Sequence, residues 1–225
     1  LSRGDAEREA QHYSQAQEEY QRALRLRPNE PRAYTGLGDV SYDLAFYPDA
    51  IQAYKKSIRI KPWNPDAFNG LGNAYYAQQR YPEAIEQYKT AIGLTPQDAA
   101  IYFNLGITYG KQQRYPEAIE QYKKSIELGT NDADVYDLLG NAYYEQESYP
   151  EAIEQYKKSI ELDPKYATAY NDLGFAYYAQ QRYPEAIEQY KKAIELDPKH
   201  AFAYFALGSA YHAQQRYPEA IEQYK

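Results

Sequence analysis

The chain has 225 residues and a net charge of -7, with Lys and Arg spread along it, so neither a nucleic-acid surface nor a polybasic membrane contact is expected. It contains no Cys, which excludes disulfides and Cys metal ligands. No apolar run approaches the roughly 18 to 20 residues of a transmembrane helix. We therefore expect a cytoplasmic protein that binds neither nucleic acid nor membrane, with a periplasmic or organellar location left open.

A period of 34 residues runs through the chain, and the nonapeptide YPEAIEQYK marks it most plainly. Identical copies begin at Tyr81, Tyr115, Tyr149, Tyr183 and Tyr217. A fixed period of this length predicts a single array of stacked units. We divide the array into a partial, diverged unit at 1–30, full units at 31–64, 65–98, 99–132, 133–166 and 167–200, and a truncated unit at 201–225.

The N-terminal unit agrees with the later ones mainly in its second half. Gly4 is in phase with the later glycines, but it lacks the Leu before it and the aromatic after it that the full units carry. The matching positions are Ala16, Tyr20, Ala23 and Pro28.

Each full unit predicts two helices, as the segment 167–200 illustrates. In AYNDLGFAYYAQQ the aromatic residues and Leu recur at the three- and four-residue spacing of an amphipathic helix. After a short QQRY turn, Pro184 is expected at the start of a second helix, where its missing N–H costs nothing. The Asp-Pro pair at 197–198 then predicts the end of that helix.

A glycine and an alanine column accompany this pattern. In the full units the glycine follows a Leu inside the first helix, where it costs about 1 kcal/mol relative to Ala. The alanine follows twelve residues later. We expect the two to face each other, as Gly174 and Ala186 would, so that the helix backbones approach closely.

The pattern resembles the tetratricopeptide repeat, a helix–turn–helix unit of 34 residues with aromatic, Leu-Gly, Tyr, Ala and Pro at these offsets. The resemblance covers essentially the whole chain. It implies an all-α fold, a right-handed superhelical solenoid of antiparallel helix–turn–helix repeats. It also implies that the first helices line a concave groove that holds an extended or helical peptide.

Three inward columns follow from the resemblance, at three residues before, one after and four after each glycine. Residues in these columns vary from unit to unit while the nonapeptide does not. The predicted peptide-binding residues are Asn69, Asn73, Tyr76, Phe103, Ile107, Asp137, Asn141, Tyr144, Asn171, Phe175, Tyr178, Phe205 and His212. Their Asn amides can pair with a peptide backbone, and their aromatic and apolar side chains can act as anchors. A competing interpretation makes the tyrosines only part of the scaffold.

Acidic residues on the first helices suggest the chemistry of the partner. Asp132, Asp134, Asp137 and Glu145 cluster along one first helix, which favours a protein or peptide that is basic or apolar; a solvated acidic surface is the alternative. A clamp for an acidic C-terminal tail is not assembled. His12, His200 and His212 have no metal-ligand spacing, and no phosphate loop or nucleophile motif occurs. The sequence thus predicts no metal, no cofactor and no catalysis.

We therefore predict a non-catalytic protein-interaction scaffold. Three alternatives stay open: a structural scaffold that assembles by end-to-end stacking, the recruiting region of a larger enzyme, and a designed or consensus-derived array. The junction ELGTNDADV also departs from the pattern, because Gly129 replaces the Asp-Pro stop. It predicts either a glycine cap of the preceding helix or a softer joint.

Overall fold

A computed structural model describes all 225 residues, and its regular elements are fourteen α-helices. They are α1 Ser2–Glu9, α2 Tyr13–Leu26, α3 Pro31–Asp43, α4 Tyr47–Ile60, α5 Pro65–Ala77, α6 Tyr81–Leu94, α7 Ala99–Lys111, α8 Tyr115–Glu127, α9 Ala133–Glu145, α10 Tyr149–Leu162, α11 Ala167–Ala179, α12 Tyr183–Leu196, α13 Ala201–Ala213 and α14 Tyr217–Gln223. The predicted all-α helical-repeat fold is confirmed. By its contacts the chain divides into two larger parts, each made of several 34-residue repeats. We call them unit 1, residues 1–113, and unit 2, residues 114–225.

Unit 1 contains α1 to α7. Three helical hairpins, α1–α2, α3–α4 and α5–α6, are followed by α7. The second helix of each hairpin also packs against the first helix of the next, and α1, α3, α5 and α7 contact one another in succession. The first helices thus form one layer and the second helices another.

Unit 2 contains α8 to α14 and repeats this arrangement. Helix α8 packs against α9, and the hairpins α9–α10, α11–α12 and α13–α14 follow. Its first helices α9, α11 and α13 contact one another in succession. In both units the first helices therefore share a face that the second helices do not cover.

A core tyrosine, and not an alanine, lies nearest to the glycines of most first helices. A Cβ added to Gly174 would lie 2.5 Å from the ring of Tyr190, and one added to Gly38 would lie 2.6 Å from Tyr54. The Tyr54 ring also meets Gly70 of the next hairpin. The atoms nearest to Gly174 therefore belong to Tyr190 and not to the predicted Ala186: the glycine makes room for an aromatic ring, and Ala186 is itself fully buried.

The segment 1–30 packs like the later hairpins although α1 has only 8 residues. A Cβ on Gly4 would lie 2.7 Å from the ring of Tyr20, which is 1% exposed. Gly4 thus makes room for a tyrosine ring, as the corresponding glycines of the full 34-residue repeats do.

The turn between the two helices of a hairpin relies on a residue in the left-handed region. Gln181 has φ 61, its N–H donates to the Tyr178 carbonyl at 2.8 Å, and the Arg182 N–H donates to the Tyr177 carbonyl at 2.9 Å. This pair of bonds is the Schellman motif that ends a helix. The next helix begins at Tyr183, with Pro184 as its second residue, one position later than expected.

Gly129 caps α8, as one of the two interpretations of the junction predicts. Its φ is 108, its N–H donates to the Ile126 carbonyl at 3.0 Å, and the Thr130 N–H donates to the Ser125 carbonyl at 3.1 Å. Glycine reaches this φ without steric penalty, so it can replace the Asp-Pro stop.

Candidate peptide-binding face

The face shared by α3, α5 and α7 in unit 1 carries a cluster of three amides. Asn104 Nδ2 donates to Asn69 Oδ1 at 3.4 Å and to Asn73 Oδ1 at 3.3 Å, and all three side chains are partly buried. Asn69 and Asn73 therefore come together as neighbours. Asn104 was missed by the sequence reasoning, because it lies two residues before a glycine, outside the three inward columns. The variety of that column, which holds Gly, Asn, Leu, Asp and Ala, was the available signal.

The column one residue after the glycine has an internal role that the sequence did not reveal. Tyr88 Oη donates to Asn73 Oδ1 and Tyr156 Oη to Asn141 Oδ1, each at 2.7 Å. Tyr54 Oη donates to Asp39 Oδ1 at 2.7 Å in the same way. Asn73 and Asn141 therefore hold a core tyrosine, and their carbonyl oxygens are already engaged.

Phe175 interrupts this series in unit 2. It occupies the position of Asn73 and Asn141, and its ring meets the ring of Tyr190 edge-on, with centroids 5.4 Å apart. A phenyl ring accepts no conventional hydrogen bond, so the buried Tyr190 hydroxyl has no partner. At this point of the face, Tyr190 therefore lacks the hydrogen bond that Tyr88 and Tyr156 make, and the acceptor is replaced by the partly exposed side chain of Phe175.

The column four residues after the glycine packs against the first residue of the nonapeptide. The pairs Tyr76–Tyr81, Tyr144–Tyr149, Tyr178–Tyr183 and His212–Tyr217 have ring centroids 5.3 to 5.6 Å apart. Tyr76, Tyr144 and Tyr178 are partly buried, and His212 is exposed. These contacts support a scaffold role, while the exposed edges stay available to a ligand.

Phe103 and Ile107 lie on α7 of unit 1, and both are partly exposed. Phe103 shares its column with Asn69, and Ile107 shares its column with Asn73. At the two repeat positions where α5 has amides, α7 therefore presents apolar side chains.

Two predicted binding residues of unit 2 lie below the surface. Asp137 and Asn171 are each 3% exposed. Asn141 Nδ2 donates to Asp137 Oδ2 at 3.3 Å, but Asp137 Oδ1 has no partner. Burial, with the nearby charges of Asp172 and Asp134, raises the pKa of Asp137 to about 8. The carboxyl is therefore largely protonated at neutral pH.

The corresponding pocket of unit 1 has a complete hydrogen-bond network. Asn64 Nδ2 donates to Thr35 Oγ1 at 3.1 Å and to Ser57 Oγ at 3.0 Å, and Ser57 Oγ donates to the Pro31 carbonyl at 2.9 Å. The residues of unit 2 that correspond to Thr35, Ser57 and Asn64 by the 34-residue period are Asp137, Ser159 and Tyr166. There Asp137 Oδ1 and Ser159 Oγ are both buried without a partner.

An acidic pair of unit 1 has a counter-charge from within the chain. Arg8 of α1 donates from Nε to Asp43 Oδ2 at 2.6 Å and from Nη1 to Asp39 Oδ2 at 3.2 Å. The sequence reasoning did not anticipate Arg8, because α1 belongs to the diverged segment. The ion pairs of unit 2 instead involve its second helices and the turns before them, and none includes Asp134, Asp137 or Asp172.

Aromatic rings continue across unit 2 from α11 to Tyr224, the residue just after α14. The ring centroids of Phe175 and Phe202 are 5.5 Å apart, those of Phe202 and Phe205 are 6.5 Å apart, and those of Phe205 and Tyr224 are 5.9 Å apart. Phe202 and Phe205 are each 60% exposed. Phe202 was missed, since it lies six residues before its glycine. The residue six positions before the glycine is exposed in each 34-residue repeat, beginning with Arg32, so this is a surface position.

Neither a metal centre nor a membrane span emerges from the structure. No three His, Asp or Glu side chains are grouped so that they could hold a metal ion. None of the fourteen helices is long and apolar enough to cross a bilayer.

Comparison with known proteins places these features in a family context. A model of the TPR repeat matches residues 4–44, 46–79, 72–113, 111–147, 140–181 and 176–215. Among solved structures, a MamA protein is 32% identical, with a TM-score of 0.71 over 76% of this chain and 93% of that one. No curated protein sequence matches significantly.

Two further solved structures share the fold at lower identity. YrrB, described as a TPR protein with an unusual peptide-binding site, is 22% identical, with a TM-score of 0.74 over 87% of this chain and 97% of that one. The C-terminal part of a TPR repeat-containing protein from Cytophaga hutchinsonii is also 22% identical, with a TM-score of 0.77 over 100% of this chain and 99% of that one.

Proposed function

This chain belongs to the tetratricopeptide repeat family, and from that premise we propose that it is a non-catalytic scaffold that binds a protein segment or peptide on the concave face of its first helices. The partner is basic or apolar. In each unit, the predicted residues that reach the surface form the contact surface, together with Asn104 in unit 1 and Asp172 and Phe202 in unit 2. The peptide-binding site named for YrrB is a precedent within the same fold.

One observation carries this proposal: the constant nonapeptide contributes to the core, whereas the variable residues lie on the first helices. In the nonapeptide copy that begins at Tyr183, Ala186 and Tyr190 are buried, and Arg182, just before the copy, binds Glu185 at 2.8 Å. The first helices instead present an amide cluster in unit 1 and an acidic and aromatic surface in unit 2. Variation confined to one face of a constant scaffold is what selective recognition requires.

A peptide library tests the proposal. We expect the 225-residue chain to enrich specific sequences from a displayed library of random 12-residue peptides. Substitution of Phe175 or Phe205 by Ala should weaken binding of the enriched peptides, because exposed aromatic side chains are common anchors. Leu162→Ala, at an exposed Leu of the second helix α10, is the control. Failure to enrich any sequence would contradict the proposal.

Self-association is the second candidate, supported by exposed apolar side chains within the array. Phe46 and Trp63 are 59% and 66% exposed. Contact between such a surface and a different surface of another copy can continue into filaments. Light scattering over a range of concentrations distinguishes the two candidates: a mass that stays monomeric at high concentration eliminates self-association.

A further inference from the structure

The first-helix face of unit 2 combines two features that together specify a ligand. Helices α9 and α11 present carboxyl groups that form no ion pair, and the next first helix, α13, presents an exposed phenyl ring. We propose that this face binds an extended segment in which a Lys or Arg occupies the acidic cluster of Asp134, Asp137 and Asp172 and an apolar side chain three to five residues away packs on Phe202. The inference rests on the proposed function, since it specifies the ligand of the same face.

The acidic cluster is identified by orphaned polar atoms as well as by charge. Asn171, 3% exposed, donates from Nδ2 to Asp172 Oδ1 at 3.1 Å, while its own Oδ1 has no partner. Asp137 Oδ1 is likewise without a partner. A buried acceptor that lacks a donor is destabilising. These oxygens favour positive charge close by, which a cation held by the outer carboxylates supplies once Asp137 is ionised.

Access to the cluster is by way of its outer members. Asp134 is exposed and Asp172 is partly exposed, whereas Asp137 lies beneath them. We infer that Asp134 and Asp172 contact the cation and that Asp137 acts through its field. Unit 1 shows the same chemistry within the chain, because Arg8 binds two carboxylates of a first helix there.

The spacing between cation and apolar group follows from the geometry of adjacent helices. Packed helix axes lie about 8 to 10 Å apart, and an extended chain advances about 3.3 Å per residue. Asp172 and Phe202 are on adjacent first helices, while Asp134 is one first helix further away. A cation between the two carboxylates is therefore about 12 to 15 Å from Phe202, or about four residues.

Proton release provides a signature that simple apolar binding would not show. A bound cation lowers the pKa of the buried Asp137 carboxyl, so binding expels a proton wherever the free protein still holds one. The other ionisable groups near Asp137 are Asp134, Asp172, Tyr156 and Tyr166, and His200 faces Asp172. Affinity should therefore increase between pH 6 and pH 8 and then level off.

The test uses fluorescein-labelled peptides of Ser residues with Arg and Phe four positions apart, in both orders, and fluorescence anisotropy at pH 6, 7 and 8. We expect at least one order to bind. Its affinity should fall about fivefold or more when Arg is replaced by citrulline, when Phe is replaced by Ser, or in Asp134→Asn/Asp172→Asn and Phe202→Ser proteins. Glu188→Gln, on the exposed face of α12, is the matched charge control and should leave affinity unchanged. Asp137→Asn should abolish the rise with pH.

The possible failures are distinguishable. Circular dichroism confirms that each variant is folded, and Phe202 and Asp134 are exposed, so their substitution spares the core. Binding of neither peptide order, or equal binding of the Arg and citrulline peptides, would overturn this inference. If library peptides still bind under those conditions, the proposed function survives and only the ligand assignment fails.

Discussion

At the scale of single residues, the core of each hairpin depends on a tyrosine hydroxyl and the group that receives it. Tyr156 donates to Asn141, whereas Tyr190 faces Phe175 and has no acceptor. Two residues that look equivalent in the sequence are therefore energetically different.

Substitution by Phe should separate the two tyrosines. Tyr156→Phe removes a hydrogen bond and leaves Asn141 Oδ1 without its donor, so we expect a loss of about 1 to 2 kcal/mol in the free energy of unfolding. Tyr190→Phe removes a hydroxyl that has no partner and should be neutral or stabilising. Urea denaturation of the two variants measures the difference, and equal losses would contradict the assignment of the orphaned hydroxyl.

Glycine replacement tests the contact between glycine and tyrosine. A Cβ at Gly174 would lie 2.5 Å from the Tyr190 ring, so Gly174→Ala should destabilise by about 1 to 3 kcal/mol through overpacking. Gly93→Ala, in α6, is the control, because a Cβ there meets nothing within 4 Å. The control should gain up to about 1 kcal/mol from helix propensity. Thermal denaturation reports both, and a stable Gly174→Ala protein would refute the contact.

Residue contacts were the least predictable part of the structure. The 34-residue spacing locates Gly174 and Ala186 in a common core, but it does not specify which side chain enters the space beside a glycine. The Tyr190 ring does so because it projects from α12 across the hairpin, a three-dimensional fact with no sequence marker. The internal role of Asn73 and Asn141 was missed for the same reason.

At the scale of helices, α9 carries a buried carboxyl group, that of Asp137. The folded state holds the proton of Asp137 up to pH of about 8, whereas an unfolded Asp loses it near pH 4. The folded protein thus binds the extra proton between these values, so its stability should fall as pH rises from about 4 to 8.

Asp137→Asn should remove most of that decline. We expect the variant to match the parent protein near pH 4 and to exceed its free energy of unfolding by about 2 to 4 kcal/mol at pH 8. Glu188→Gln, on the exposed face of α12, is the control and should leave the slope nearly unchanged. Urea midpoints from pH 4 to pH 9 provide the measurement; a parent protein with a flat profile would contradict the burial of a neutral carboxyl.

The turns between helices offer another local test. Gln181 adopts a positive φ that costs a residue other than glycine about 1 kcal/mol. Gln181→Gly should therefore stabilise the protein by up to about 1 kcal/mol, as the motif at the end of α11 usually takes glycine. Thermal denaturation measures this, and a loss would indicate that the Gln side chain contributes more than the strain costs.

At the scale of the whole molecule, the architecture was the most predictable property. Regular spacing of Leu, Gly, Tyr and Pro determines where helices begin and end, because these are local steric and packing rules repeated many times. The candidate binding face was predictable only in part, since Asp137 and Asn171 proved buried and Phe202 and Asn104, which we propose as members of it, lay outside the inferred columns. Depth below a surface depends on neighbouring hairpins, which a single column of sequence does not encode.

The central claim is that the nonapeptides stabilise the fold and the first helices bind the partner. Hydrogen–deuterium exchange with a library-selected peptide tests this claim most directly. Binding on the first-helix face should slow amide exchange in α9, α11 and α13 or in α3, α5 and α7, and leave the nonapeptide segments of α10 and α12 unchanged. Protection confined to the nonapeptide segments would show that the repeated sequence is itself the recognition surface, and would contradict the account.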